Sequence, residues 1–143
     1  MPLITIHNSV PNTRVPRKSL SRLAQIVLMG EHCRKNVNLI FVDDSRMYEL
    51  NREFRGKEKT TDVLSFAMED DDDPLLGEIY ISIPEARRNA REYGITPTRE
   101  IHRLFCHGLL HLHGIHHPTP QKRAIMAAKE DKYLALLDAG GRR

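Results

Sequence analysis

The chain has 143 residues, 40% hydrophobic and 29% charged, the size and mix of one globular domain that builds its own core without help from metals or disulfides. Two cysteines exclude a disulfide-stapled scaffold, no apolar stretch approaches the ~20 residues that cross a bilayer, and the first ten residues lack the basic start and apolar run of a secretory leader, so the expectation is a soluble cytoplasmic protein. A net charge of +3 permits an anionic partner without requiring one.

Residues 3–7 read as a short strand. Pro11 and Pro16 bracket a connection, and Pro16 suits the first turn of a helix running to about Cys33. Leu20, Leu23, Ala24, Val27 and Leu28 recur on one face of that helix. Asn36–Val42 alternates as a strand, with Val37, Leu39 and Phe41 pointing one way. Asp43 or Asp44 caps the next helix, which directs Met47, Leu50 and Phe54 inward and stops at Gly56. Residues 61–67 and 78–83 are two further strands rich in β-branched and aromatic residues. Between them lie five consecutive acidic residues, 69–73, and Pro74, a pattern that predicts a solvated loop tip. Pro84 opens a helix that Gly94 ends, Thr96 and Pro97 open another that runs to about His113, and Gly114 stops it. A last helix covers residues 119–137, leaving 138–143 as a frayed tail. The order βαβαββααα predicts an α+β fold: one domain over residues 1–143, with a small mixed sheet covered by about five helices.

Six of the eight histidines fall between His102 and His117. His107 and His111 stand four apart, so they project from one helical face about a turn from each other. At about 100° per residue, they border the apolar stripe made by Ile101, Leu104, Phe105, Gly108 and Leu112. His102 and His113 fall on the far side and read as solvent-facing. Cys106 also points away from the pair and reads as a buried thiol. Gly114 lets the chain turn back, so that His117 swings toward His107 and His111. His116 competes for that place, but the spacing after the glycine favours His117. Three imidazoles, His107, His111 and His117, predict a single divalent metal at a helix end. Zinc is the preferred ion; other divalent transition metals suit three imidazoles as well. The set leaves a fourth position for water, the pattern of a catalytic rather than a structural zinc site. Zinc proteases of the metzincin type share this spacing but carry a glutamate directly after the first histidine, as the general base. Here that position is Gly108, which moves no proton.

The segment from His107 to His117, His-Gly-Leu-Leu-His-Leu-His-Gly-Ile-His-His, resembles the signature of the YbeY family. So do Asn51 to Lys57 and Thr60 to Phe66, while Leu76 to Ile81 is similar to the family's next strand. The likeness spans roughly residues 51–117. There are two departures: Ile115 and His116 stand where the family has Tyr-Asp, and Ala67 stands where its strand block ends in proline. The first removes a carboxylate from beside the presumed metal. The resemblance implies a metal-dependent endoribonuclease, specific for single strands, acting in 16S rRNA 3′-end maturation and ribosome quality control. Its implied partners are rRNA and the ribosomal subunit or its assembly factors.

Cleaving a phosphodiester needs positive charge on the developing phosphoryl centre. Arg55, which follows a helix end and precedes Gly56, is the candidate, since guanidinium offers phosphate a bidentate fork; the resemblance points to the same position. Lys57 and Lys59 extend the phosphate track. Arg87, Arg88 and Arg91, and Arg99 with Arg103, are further basic clusters on helix faces. His107 joins Arg55 as a catalytic candidate. No general base is evident beside the metal, with His113, His116 and Glu100 as the available groups. With no tryptophan and eight Phe and Tyr residues, no aromatic pattern for base stacking is visible. Two alternative functions remain at this stage: a metallohydrolase of another substrate such as peptide, and a non-catalytic RNA-binding assembly factor with a structural metal.

Overall fold

The computed structural model describes residues 2–115 and 119–140. Among them the elements follow the predicted order: β1 (Ile4–Asn8), α1 (Arg17–Gly30), β2 (Asn36–Val42), α2 (Asp44–Arg55), β3 (Val63–Ala67), β4 (Leu75–Ser82), α3 (Ile83–Tyr93), α4 (Pro97–Leu112) and α5 (Pro120–Gly140). Local chemistry sets their ends. Asp43, Ser82 and Thr96 each accept a backbone N–H three residues ahead, capping α2, α3 and α4. Gly56 ends α2 in the left-handed conformation that a side chain disfavours.

The strands form one mixed sheet in the order β1-β2-β4-β3. β1 and β4 both run parallel to β2, and β3 pairs antiparallel with β4, leaving β3 at an edge. Alternation along the strands divides the apolar residues between two faces. Val37, Leu39, Phe41, Ile79 and Ile81 meet the stripe of α1 and the apolar side of α4 in one continuous core. Every residue predicted for the α1 stripe is fully buried there. On the opposite face Val42 and Leu64 pack with Met47 and Leu50 of α2, flanked by Ile40, Phe66 and Tyr80. The acidic run occupies the β3–β4 connection, with Asp70, Asp71 and Asp72 exposed.

Five expectations are corrected. α1 ends at Gly30, three residues early. β4 begins at Leu75, three residues before the expected strand, and Ile83 opens α3 instead of ending the strand. Residues 138–140 continue α5 instead of fraying, and Arg22 fastens that end by donating to the Leu137 carbonyl (2.6 Å). Phe54 is 58% exposed: it meets the edge strand β3 only through the Phe66 ring, outside the buried cluster of Met47 and Leu50. His102 and His113 do not face solvent, because α4 is wrapped by α1, α3, α5 and β3. His102 Nε2 lies 2.7 Å from Ser19 Oγ on α1, and burial lowers its pKa. His113 caps the end of α4 with Nδ1 2.8 Å from the Leu109 carbonyl oxygen, and its other nitrogen is buried.

Candidate metal centre and cleft

A cleft of about 750 Å³ opens where the two layers meet at the β3 edge. The last turns of α4 bring His107, His111 and Leu112 to it, and the turn that follows brings Gly114. The end of α2 and the following loop bring Asn51, Arg55, Lys57 and Lys59, and β3 with the residues before it brings Thr61, Asp62, Val63, Leu64, Ser65 and Ala67. Arg55, Lys57, Lys59, His107 and His111 therefore line one cavity, although they come from two separate segments of the chain. His117, with His116 beside it, lies outside the described residues.

The two described histidines face each other, Nε2 to Nε2, at 3.0 Å. Two ligands of one tetrahedral ion, each at ~2.0–2.1 Å, stand about 3.3 Å apart, so this pair has the spacing of a shared ion. His107 Nδ1–H donates to Glu130 Oε1 of α5 at 2.5 Å. That bond fixes the ring's tautomer and turns the Nε2 lone pair toward His111, the arrangement in which a carboxylate supports a metal-binding imidazole. The donor set thus fits a divalent transition metal. Among the described residues no third His, Cys, Asp or Glu completes a group that would hold one. The turn meant to return the chain is present, with Gly114 at a φ of 77°.

The cationic wall is built with similar care. Arg55 Nη2–H donates to the Ser65 carbonyl oxygen on the open edge of β3 (2.9 Å), and its guanidinium lies 5.2 Å from the Phe66 ring centroid. Buried Asn51, one turn earlier, donates to the Lys59 carbonyl (2.8 Å) and accepts the Lys57 N–H on its own carbonyl, which holds the lysine loop against α2. The other basic clusters are largely spent within the protein. Arg88 pairs with Asp44 and Glu85, Arg103 with Glu100, and Arg99 stands 3.7 Å from Asp138. Arg87 and Arg91 remain exposed on α3.

Glu100, a candidate base in the sequence, is fully buried and takes two hydrogen bonds from Arg103. Asn89 Nδ2 donates to Glu100 Oε2 (3.0 Å) and to Asp62 Oδ2 (3.1 Å), which holds the Asp62 carboxylate at the cleft wall. Cys106 is a buried thiol as expected, its pKa pushed up to about 12 chiefly by burial. Gly108 owes its identity to packing: a Cβ there would meet Ile79 Cγ2 at 2.9 Å and Ser65 Oγ at 3.0 Å. A glutamate has no room at the position where the metzincin proteases carry their base.

Glu130, Asn89 and Asp62 were not singled out by sequence reasoning. Asp62 sits inside a motif that was quoted, but Glu130 is 23 residues from His107 with nothing local to mark it.

Comparison with known proteins follows the same lines. The chain matches the family described as Endoribonuclease YbeY over residues 5–138. It is 47% identical over 109 residues to the Endoribonuclease YbeY of Desulforamulus reducens, covering 71% of each chain. It is 41% identical over 128 residues to that of Pelotomaculum thermopropionicum, covering 83% of this chain and 84% of the relative. The solution structure of TM1509 from Thermotoga maritima superposes with a TM-score of 0.69 at 30% identity, covering 98% of this chain and 92% of the other.

Proposed function

The chain belongs to the endoribonuclease YbeY family, and from that premise we propose that it is a zinc-dependent endoribonuclease acting on single-stranded RNA, with the 16S rRNA 3′ end in the ribosomal subunit as its substrate. The observation that carries this reading is the meeting of two unlike walls in one cleft. His107 and His111 face each other at 3.0 Å on one side, and Arg55, Lys57 and Lys59 line the other. His107, His111 and His117 would hold the zinc. The chemistry supplied at such a centre is Lewis-acid polarisation of a phosphoryl oxygen, or acidification of water.

The protein's own residues do the rest. Glu130 keeps His107 in one tautomer. Arg55, held by Phe66 and the Ser65 carbonyl, turns its remaining N–H groups to the scissile phosphate and stabilises charge as it develops. Lys57 and Lys59 bind flanking phosphates as mobile point charges. Neither alternative draws the same support. A protease base has no room at Gly108. A structural metal would be expected to complete the core, yet the apolar cluster is continuous without His107 and His111.

The test uses purified full-length protein. Elemental analysis after gentle purification is expected to find about one zinc per chain. On single-stranded RNA, His107→Ala is expected to lose at least about 100-fold in cleavage rate, the scale of removing a key catalytic group, while keeping its circular dichroism spectrum. Equal cleavage by wild type and variant would trace the activity to a contaminant. Unfolding of the variant would make the metal structural.

A further inference from the structure

Phe54 is the one large aromatic residue that the sequence sends inward and the structure leaves more than half exposed. Its surroundings are not those of a stray surface residue. Its ring meets Phe66 edge to face, with centroids 5.3 Å apart at 63°, and Phe66 meets Tyr80 in the same way at 5.8 Å and 78°. Three rings therefore form a ladder from the sheet out to solvent, which stiffens the outermost one. The ladder also carries the cleft's arginine, since the Arg55 guanidinium lies over Phe66. Phe66 alternates with Ser65 and Ala67 along β3, so its ring lies on the α2 face beside the cleft that those two line, and Arg55 links the two.

An exposed aromatic ring is thus locked beside a cation that lines a basic cleft. A nucleotide offers the complementary pair: a phosphate for the guanidinium and a flat apolar base for the ring. The base is available only when unpaired and unstacked, because within a duplex its faces are covered by its neighbours. From this placement we infer that Phe54, backed by Phe66, is a stacking platform for one unpaired nucleobase next to the phosphate at Arg55, and that it selects single strands over duplex. The inference rests on the RNA reading above and adds to it the residue that reads strandedness. Any base has a π-face, so the platform predicts little preference among bases.

The probe is a single-stranded RNA oligonucleotide carrying 2-aminopurine, whose fluorescence falls when it stacks, placed next to the cleavage point. Wild type is expected to quench it on binding. Phe54→Leu keeps the apolar bulk and removes the aromatic face. It is expected to lose the quench and to raise KM by about 5- to 100-fold, the worth of one stacked base, with kcat within about twofold. It should also cut duplex and single strand more nearly alike. Phe54→Tyr is expected to restore both quench and KM. Thermal melting of all three proteins separates a folding defect from a binding one. If Phe54→Leu quenches and cuts like wild type, or if Phe54→Tyr fails as Phe54→Leu does, the platform is refuted while the RNA reading stands. If wild type neither binds nor cuts the oligonucleotide, the RNA reading falls and the platform with it.

Discussion

On one face of the sheet, α1 and α4 close over strand residues that are fully buried, α5 packs on α1 and α4, and α3 packs along α4. On the other, α2 covers a cluster of only four buried residues, and its last turn runs out beyond it. The first layer holds the fold together. The second is thin enough for its helix end to be given over to the cleft. Phe54 and Arg55 stand there, both against the Phe66 ring at the edge of that cluster.

That contrast can be broken at its strong side first. Phe105 is fully buried in the thick layer, and Phe105→Ala is expected to cost about 3–5 kcal/mol of stability, against nearer 2 for Met47→Ala under α2. Urea unfolding measures both. Equal losses would mean that the thin layer is as much a part of the core as the thick one.

The opposite outcome is expected at the end of α2. Arg55→Glu should lower kcat/KM on single-stranded RNA by about 10²–10³-fold, the scale of losing a charge-stabilising donor, while thermal stability shifts little, because the side chain packs only on the open edge of β3. A large drop in melting temperature with modest loss of activity would reverse the assignment and make Arg55 a staple of the sheet edge.

Glu130 tests whether the division is clean, since it reaches the centre from α5 in the thick layer. Glu130→Gln keeps the shape and removes the charge that holds the His107 tautomer. It is expected to weaken metal binding about 10–100-fold, read by competition with a chromophoric chelator. Unchanged affinity would mean that α5 shields the centre without tuning it.

Much of this was readable in advance, for physical reasons that also mark where reading stopped. Strands and helices followed from alternation and from caps such as Asp43 and Gly56, whose effects are local. The helical wheel placed His107 and His111 correctly at the margin of the stripe, because burial on that side depends on α4's own apolar residues. It failed for His102 and His113, because periodicity locates the apolar face and says nothing of how many neighbours cover the other. The prediction for Phe54 failed for the converse reason: its spacing matched Met47 and Leu50, but it meets only Phe66 of the edge strand β3 and its ring stays more than half exposed. The counts of aromatic residues held no sign of the Phe54–Phe66–Tyr80 ladder, which only the fold assembles from three elements. The same is true of Glu130, brought to His107 by the packing of α5.

The smallest expected effect concerns how α5 is held in place. At the end of α1, Glu31 accepts hydrogen bonds from Lys129 Nζ (2.8 Å to Oε1) and from the Tyr133 hydroxyl, both on α5. Burial works against ionisation of this carboxyl, but the bonds from Lys129 and Tyr133 outweigh it and bring its pKa below the ordinary value of 4.5. The folded state then holds its proton less tightly than the unfolded state does. The stability this provides is complete above pH 4.5 and is lost as pH falls through the lowered value. Lys129 is 36% exposed, so solvent screens the pair, and Glu31→Gln is expected to cost only about 0.5–1 kcal/mol at neutral pH, a surface-scale ion-pair contribution. Its signature is the pH profile: urea midpoints of wild type and variant should differ at pH 7 and converge as pH drops below 4.5. Parallel profiles would show that the carboxylate's charge does not hold α5, leaving the apolar contacts of Met126, Tyr133 and Leu137 to do so. If the profiles do converge, acid should loosen α5 first and carry Glu130 away from His107, so metal release on acidification should begin at higher pH in Glu31→Gln than in wild type.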